Sequence, residues 1–244
     1  MKIKQKNTID MTHGSLWNKL LLFALPLAAS SILQQLFNSV DTAVVGRFAS
    51  SRALAAVGSN SSLIALMINL FIGISLGSNV IISRYIGQKA EEHVKGAIHT
   101  AIVVALCSGI FVLVLGQFIA RPVLTLMGTP KDVLDLAVLY LRIYFLGMPF
   151  IMLYDFSSSI LRSIGDSRRP LYALIAAGII NTGLNLILVI VFHLGVSGVA
   201  IATVVSNIVS SGILFYILLH EQEPIRVRPV SYTHLRAHET SAHL

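Results

Sequence analysis

In the stretch FNSVDTAVVGRF, residues 37–48, Asp41 is the only charged residue between Lys19 and Arg47. Ser31, Gln34, Asn38 and Asp41 recur at spacings of three, four and three, which a helix gathers onto one face. Later, Asn181 and Asn185 stand four apart in NTGLNLIL, and Thr203, Asn207 and Ser210 repeat the pattern in GVSGVAIATVVSNIVSS. Amide carbonyls and hydroxyls are hard oxygen ligands suited to Na+, and a carboxylate can complete such a shell or hold a proton instead. Three polar faces therefore carry the chemistry of a small-cation site. They equally carry that of interhelical hydrogen bonds that only pack helices.

What must position these residues follows from composition. The 244-residue chain is 55% hydrophobic and 12% charged, with a mean hydropathy of +0.79. A soluble surface cannot be built from that, so the chain belongs in a bilayer. From Lys19 to Arg47 a helix rising about 1.5 Å per residue covers roughly 40 Å, more than a hydrocarbon core. Comparable runs give six transmembrane spans, at 17–46, 53–83, 97–120, 133–161, 170–192 and 196–219, and predict an all-α integral membrane protein with a six-helix bundle over 16–220. Residues 1–15 read as a short cytoplasmic N-terminus and 221–244 as a polar tail. The first run is too long for a signal-peptide core and reads as retained. Gly73 and Gly77, in GISLG, form a small-xxx-small pattern that allows close helix approach.

The net charge of +7 is not distributed as nucleic-acid binding requires. With the N-terminus inside, cytoplasmic segments collect Lys2, Lys4, Lys6, Lys19, Arg84, Lys89, Lys95, Arg162, Arg168, Arg169, Arg226 and Arg228, against Arg47, Arg52, Arg121, Lys131 and Arg142 outside. This positive-inside asymmetry predicts a multi-pass protein of the cell (inner or plasma) membrane with both ends cytoplasmic. Cys107 falls within a span as a small packing residue. No P-loop, HExxH, GxSxG or spaced Cys/His pair occurs, so neither an enzyme nor an ATP-driven pump is indicated, and no cofactor or metal beyond Na+ is expected. The tail's His234, His238 and His243 lack supporting zinc ligands, and SYTHLRAHET reads as translated adapter sequence fused near Val230.

A carboxylate in hydrocarbon costs about 2.5–3.5 kcal/mol on insertion scales. Asp41 therefore either faces a bundle interior, marking an ion or proton path, or reaches the outer headgroups. Asp155, in YDFSSSILRS, either joins the same cavity or lies near the inner interface, seven residues before Arg162. Tyr140 offers a hydroxyl to the cavity or an anchor to the aromatic belt. Pro26 interrupts the first span and marks a fixed bend or a hinge.

Pro26 and VDTAVVGRF in the first span, RYIGQKAEEHVKGA after the second, YLRIYFLGMPF in the fourth, LRSIGDSRRPLY before the fifth, then NTGLNLIL and GVSGVAIATVVSN follow in that order. Over roughly residues 10–220 this order resembles the multidrug and toxic compound extrusion (MATE) family, LRSIGDSRRP being its most specific piece. The resemblance implies the N-terminal six-helix lobe of a twelve-helix, two-lobed transporter that exports organic cations and other drugs in exchange for Na+ or H+. It implies as partners drug substrates, membrane lipids and a missing C-terminal lobe. It assigns Asp41, Asn181, Asn185 and Thr203 to the cation site, with Tyr140 and Asp155 flanking it. Gln34, Asn38 and Asn207 join these as candidates for the pocket lining, and Pro26 is the candidate hinge. Some relatives carry Asp at position 185 and Asn at position 155, so this chain is expected to place its second acid elsewhere in the pocket, at Asp155. Two rival readings are a lipid-linked oligosaccharide flippase, which should line its cavity with basic residues for a pyrophosphate, and a non-transporting half-lobe scaffold.

Overall fold

The computed structural model describes residues 16–222 and 224–227. Its helices are α1 Leu16–Phe48, α2 Ser51–Gly87, α3 Glu91–Leu126, α4 Lys131–Leu146, α5 Met148–Ser163, α6 Arg168–Leu186 and α7 Gly195–Leu219, with a π-helical turn, Ile187–Val191, continuing α6. No strand occurs among the described residues. Five helices are long and apolar enough to cross a bilayer, and α4 with α5 supply a sixth span when taken together. Large apolar side chains such as Trp17, Leu66 and Phe118 lie exposed on the outside, where only a hydrocarbon phase covers them without cost. This is a multi-pass membrane bundle.

The span expected at 133–161 is not one rod. α4 and α5 meet at 47° around Gly147. Pro149 sits in the first turn of α5, where its missing N–H costs nothing, and so starts a new helix more readily than it continues an old one. A Cβ at Gly147 would stand 3.1 Å from Val204 Cγ2, so the corner is pressed against α7.

Local chemistry sets the other joints. Ser50 Oγ accepts the Ala53 N–H at 3.2 Å and caps α2. After α5, Gly165 adopts φ +81°, its N–H donates to the Arg162 carbonyl at 2.9 Å, and the Asp166 N–H donates to the Leu161 carbonyl at 3.1 Å. This glycine-terminated ending delivers Asp166 to the start of α6, where Oδ1 accepts the N–H groups of Arg168 and Arg169 at 3.0 and 3.1 Å. The Arg169 guanidinium then pairs with both Asp166 and Glu221, tying α6 to the segment beyond α7.

α5 is the hub, packed along by α2, α3 and α7, with Met152, Phe156, Ile160 and Leu161 fully buried. Close helix approach does occur at glycines, but not at Gly73 or Gly77, where an added Cβ would meet nothing within 4 Å. The close approaches lie where a bulky group on another helix needs the space. A Cβ on Gly116 would lie 2.2 Å from the Phe145 ring, and one on Gly109 would lie 2.5 Å from Pro149 Cα. Cys107 is free and exposed on α3, not buried in the core. The first residues after α7 are not a free polar tail: Ile225 and Val227 are buried, and the Val227 N–H donates to the Leu218 carbonyl at 3.1 Å. The readings made for residues 1–15 and for His234, His238, His243 and the sequence from Val230 lie outside the described residues.

Candidate functional site

Asp41 turns inward and is 7% exposed. Asn185 Nδ2 donates to Asp41 Oδ1, and the Thr203 hydroxyl stands 3.4 Å from Oδ2. The amide of Asn185 also reaches Asn181 Oδ1 at 3.2 Å, and Asn181 Nδ2 reaches Thr203 Oγ1 at 3.5 Å. Side chains from α1, α6 and α7 thus form one network around a single carboxylate. Thr203 has one hydroxyl proton, and the Val199 carbonyl competes for it at 3.0 Å, so Asn185 holds Asp41 more firmly than Thr203 does. Asn185 Oδ1 is buried with no partner among the described residues.

The network exists because α1 and α6 touch. Gly178 has no side chain, and the Phe37 ring occupies the space where one would be, with Phe37 Cζ 1.8 Å from an ideal Cβ. Phe37 lies one helical turn before Asp41, and Gly178 lies one turn before Asn181 and two before Asn185. Contact at the lower pair therefore sets the separation at the upper ones. Just past Asn185 the helix widens into the π turn at Ile187–Val191, a departure from regular geometry next to the site.

A cavity of about 130 Å³ opens beside the network. Gln34, Asn38 and Asp41 of α1, Asp155 of α5, Asn181 of α6, and Thr203 and Asn207 of α7 all line it. Ser31 does not: it is exposed, and its hydroxyl donates to its own helix at Leu27, 3.3 Å away. Tyr140 is not among the lining residues either. It is buried inside the bundle, in neither cavity nor aromatic belt, with its ring 6.2 Å from that of Tyr144. Tyr144 lines the cavity in its place, one turn further along the same face of α4. Phe37 and Tyr154 complete the aromatic wall, and none of the three was singled out from sequence, though the turn-to-turn spacing from Tyr140 to Tyr144 was there to be read. Among the described residues no Lys, Arg or His lines the cavity. Among the described residues no cluster of three or more His, Cys, Asp or Glu is placed to hold a metal. The oxygen-rich set suits a hard monovalent cation or a proton.

α1 runs through Pro26 unbroken, and the Pro26 carbonyl accepts Ser30 Oγ at 2.8 Å. One turn earlier the Phe23 carbonyl accepts Ser167 Oγ at 3.1 Å, so the proline-loosened turn is tied to the α5–α6 joint.

The model of the MatE family matches residues 26–187, well over half of the chain. The chain belongs to the MATE family. Among curated relatives of this MATE chain, the probable multidrug resistance protein YoeA of Bacillus subtilis is 36% identical over 223 residues, covering 90% of this chain and 48% of the relative. The multidrug export protein MepA of Staphylococcus saprophyticus is 26% identical, covering 88% and 48%. This MATE chain thus spans about half the length of the curated relatives it matches. Solved transporters share its fold. A transporter of the MOP superfamily from Pyrococcus furiosus superposes with a TM-score of 0.83 at 24% identity, over 91% of this chain and 49% of that one. An outward-facing multidrug resistance MATE transporter superposes with a TM-score of 0.80 at 24% identity, over 87% and 47%. Half-coverage throughout is what one lobe of a two-lobed transporter gives.

Proposed function

We propose that the chain is the N-terminal lobe of a secondary active multidrug exporter, in which organic cations or other drugs leave in exchange for Na+ or H+. Both of its ends would lie on the cytoplasmic side, and the transport path would be completed by a C-terminal lobe. The observation that carries the reading is the buried carboxylate of Asp41, held by Asn185 and Thr203 at the edge of a cavity with acids and no base. Relatives named for multidrug resistance and export support it. A flippase for a pyrophosphate-linked lipid would need the basic lining that this cavity lacks.

The chemistry of the network gives a route for coupling. A proton on Asp41 removes the charge that the Asn185 N–H donates to. Na+ beside Asp41 would find Asn181 Oδ1 and Thr203 Oγ1 as ligands. Rotation of the Asn185 amide would also bring its unpartnered Oδ1 toward Asp41, an arrangement that only a cation between the two oxygens makes favourable. Either ion therefore changes what α1 is bonded to, and Pro26 is the place where α1 can answer by bending. One charge crossing 100 mV supplies about 2.3 kcal/mol toward the work of export.

The test is efflux of ethidium from cells expressing the chain together with its second lobe, under imposed Na+ or H+ gradients. Asp41→Asn is expected to lower gradient-driven efflux at least tenfold. Wild-type efflux in that variant defeats the assignment of Asp41. Ethidium efflux that follows neither gradient defeats the antiport reading as a whole.

A further inference from the structure

Asp155 is the acid of the cavity that the ion network leaves unused. The hydrogen bonds of Asn181, Asn185 and Thr203 run to one another, to Asp41 and to Val199. Asp155 lies on α5, and its Oδ2 is buried with no partner among the described residues. Arg162, two turns on along the same helix, acts on it electrostatically but makes no hydrogen bond to its Oδ2, and the Arg162 Nε is itself buried without a partner among the described residues. A buried carboxylate oxygen without a donor is costly, and a proton or a bound cation relieves that cost.

The surroundings say which kind of cation. Phe37, Tyr144 and Tyr154 present aromatic surface to the same cavity, and the Tyr154 hydroxyl is anchored to the Pro170 carbonyl at 3.2 Å, which fixes that ring as a wall. An acid among aromatic faces recognises organic ammonium and amidinium groups, by ion pairing at the N–H donors and by cation–π contact around them. The volume of about 130 Å³ is well below the roughly 300–1,000 Å³ of a drug-sized site, so the cavity takes a cationic head group and leaves the body of the molecule outside.

On the exporter reading above, we propose that Asp155 anchors the protonated-amine or amidinium head group of the substrate, so that coupling ion and substrate use different carboxylates of one cavity. The test is binding of the fluorescent diamidine 4′,6-diamidino-2-phenylindole to the whole 244-residue chain in lipid nanodiscs, with the uncharged dye Nile red as control. Asp155→Asn is expected to weaken diamidine binding at least tenfold and to leave Nile red binding and the melting temperature no lower than wild type. Asp155→Glu should restore diamidine binding to within threefold, and the effect of Na+ or pH on residual binding should survive in Asp155→Asn and vanish in Asp41→Asn. Unchanged diamidine binding in Asp155→Asn overturns the proposal while leaving the exporter reading in place, as does parallel loss of both dyes, or loss that Glu does not rescue. A wild-type chain that binds no diamidine also overturns the proposal, whereas the exporter reading falls only if the two-lobed protein fails to move ethidium with either gradient.

Discussion

Gly178→Ala separates two energies of opposite sign at the joint that brings the acid of α1 to the amides of α6. In a helix interior, Gly→Ala by itself stabilises by about 0.8–1.0 kcal/mol. Here the new Cβ would stand 1.8 Å from Phe37 Cζ and 2.2 Å from Cε2, where ordinary contact begins at 3.4 Å, so the ring must retreat by about 1.6 Å. Overpacking of that kind costs about 1–3 kcal/mol, which outweighs the gain in helix propensity. The expected net effect is a loss of up to about 2 kcal/mol. In a Phe37→Ala background the obstacle is gone, and the same substitution should stabilise by up to about 1 kcal/mol. The two positions are thus coupled by about 1–3 kcal/mol in a double-mutant cycle, a quantity from which the separate cost of truncating Phe37 cancels. Thermal unfolding of the four proteins in one detergent measures it. Since Phe37 precedes Asp41 by one turn, Gly178→Ala should also blunt the response of transport to the ion gradient. Additive midpoints, or a Gly178→Ala protein more stable than wild type with Phe37 in place, would refute the close approach.

Two further substitutions probe the frame that holds the site. Asp166→Ala removes the acceptor of two N–H groups at the start of α6 and the fully buried partner of Arg169, and should cost about 2–4 kcal/mol. Asp166→Asn keeps the acceptor and should cost roughly half of that, so equal melting temperatures for the two variants would show that the charge and not the cap matters. Asn60 is fully buried, with Nδ2 donating to the Ala137 carbonyl at 3.0 Å and to that of Ala56 at 2.8 Å. Asn60→Leu removes the side-chain bond that ties α2 to α4, leaving the Ala137 carbonyl its helical N–H alone, and should lower stability by about 0.5–1.5 kcal/mol, read as a fall in melting temperature. No change there would mean that α2 and α4 are held by apolar packing alone.

The polar cluster around Asp41 was legible in the sequence because its members obey one local rule. Asn181 and Asn185 share a face through their spacing, Gln34, Asn38 and Asp41 through theirs, and hydrocarbon leaves such faces nowhere to turn but inward. The features that escaped are those decided by a partner far away in the chain. GISLG states that close approach is possible at Gly73 and Gly77, but only the position of Phe145 and Phe37 shows that it happens at Gly116 and Gly178. The choice between Tyr140 and Tyr144 depends on how α4 rolls about its axis beside the 47° corner, and hydropathy is blind to rotation. The folding back of Ile225 and Val227 was hidden by charge, although their alternation with Arg226 and Arg228 already suggested a segment with one buried side.

Placing ion and substrate on different acids makes antiport a matter of electrostatics as well as of helix movement. Asp41 and Asp155 line one cavity, and at an effective dielectric near 20 any two like unit charges about 8 Å apart repel by about 2 kcal/mol. If both sites carried cations at once, each would weaken the other by that amount, about thirtyfold in affinity, and linkage requires the effect to be mutual. No large rearrangement of the lobe is needed for that much coupling. It also gives each acid a distinct signature: losing Asp41 should leave a binder that holds its cation regardless of Na+ or pH, whereas losing Asp155 should leave an ion site with little to release. A protein in which both substitutions produce the same defect has one shared site, and the coupling must then come from competition for a single carboxylate.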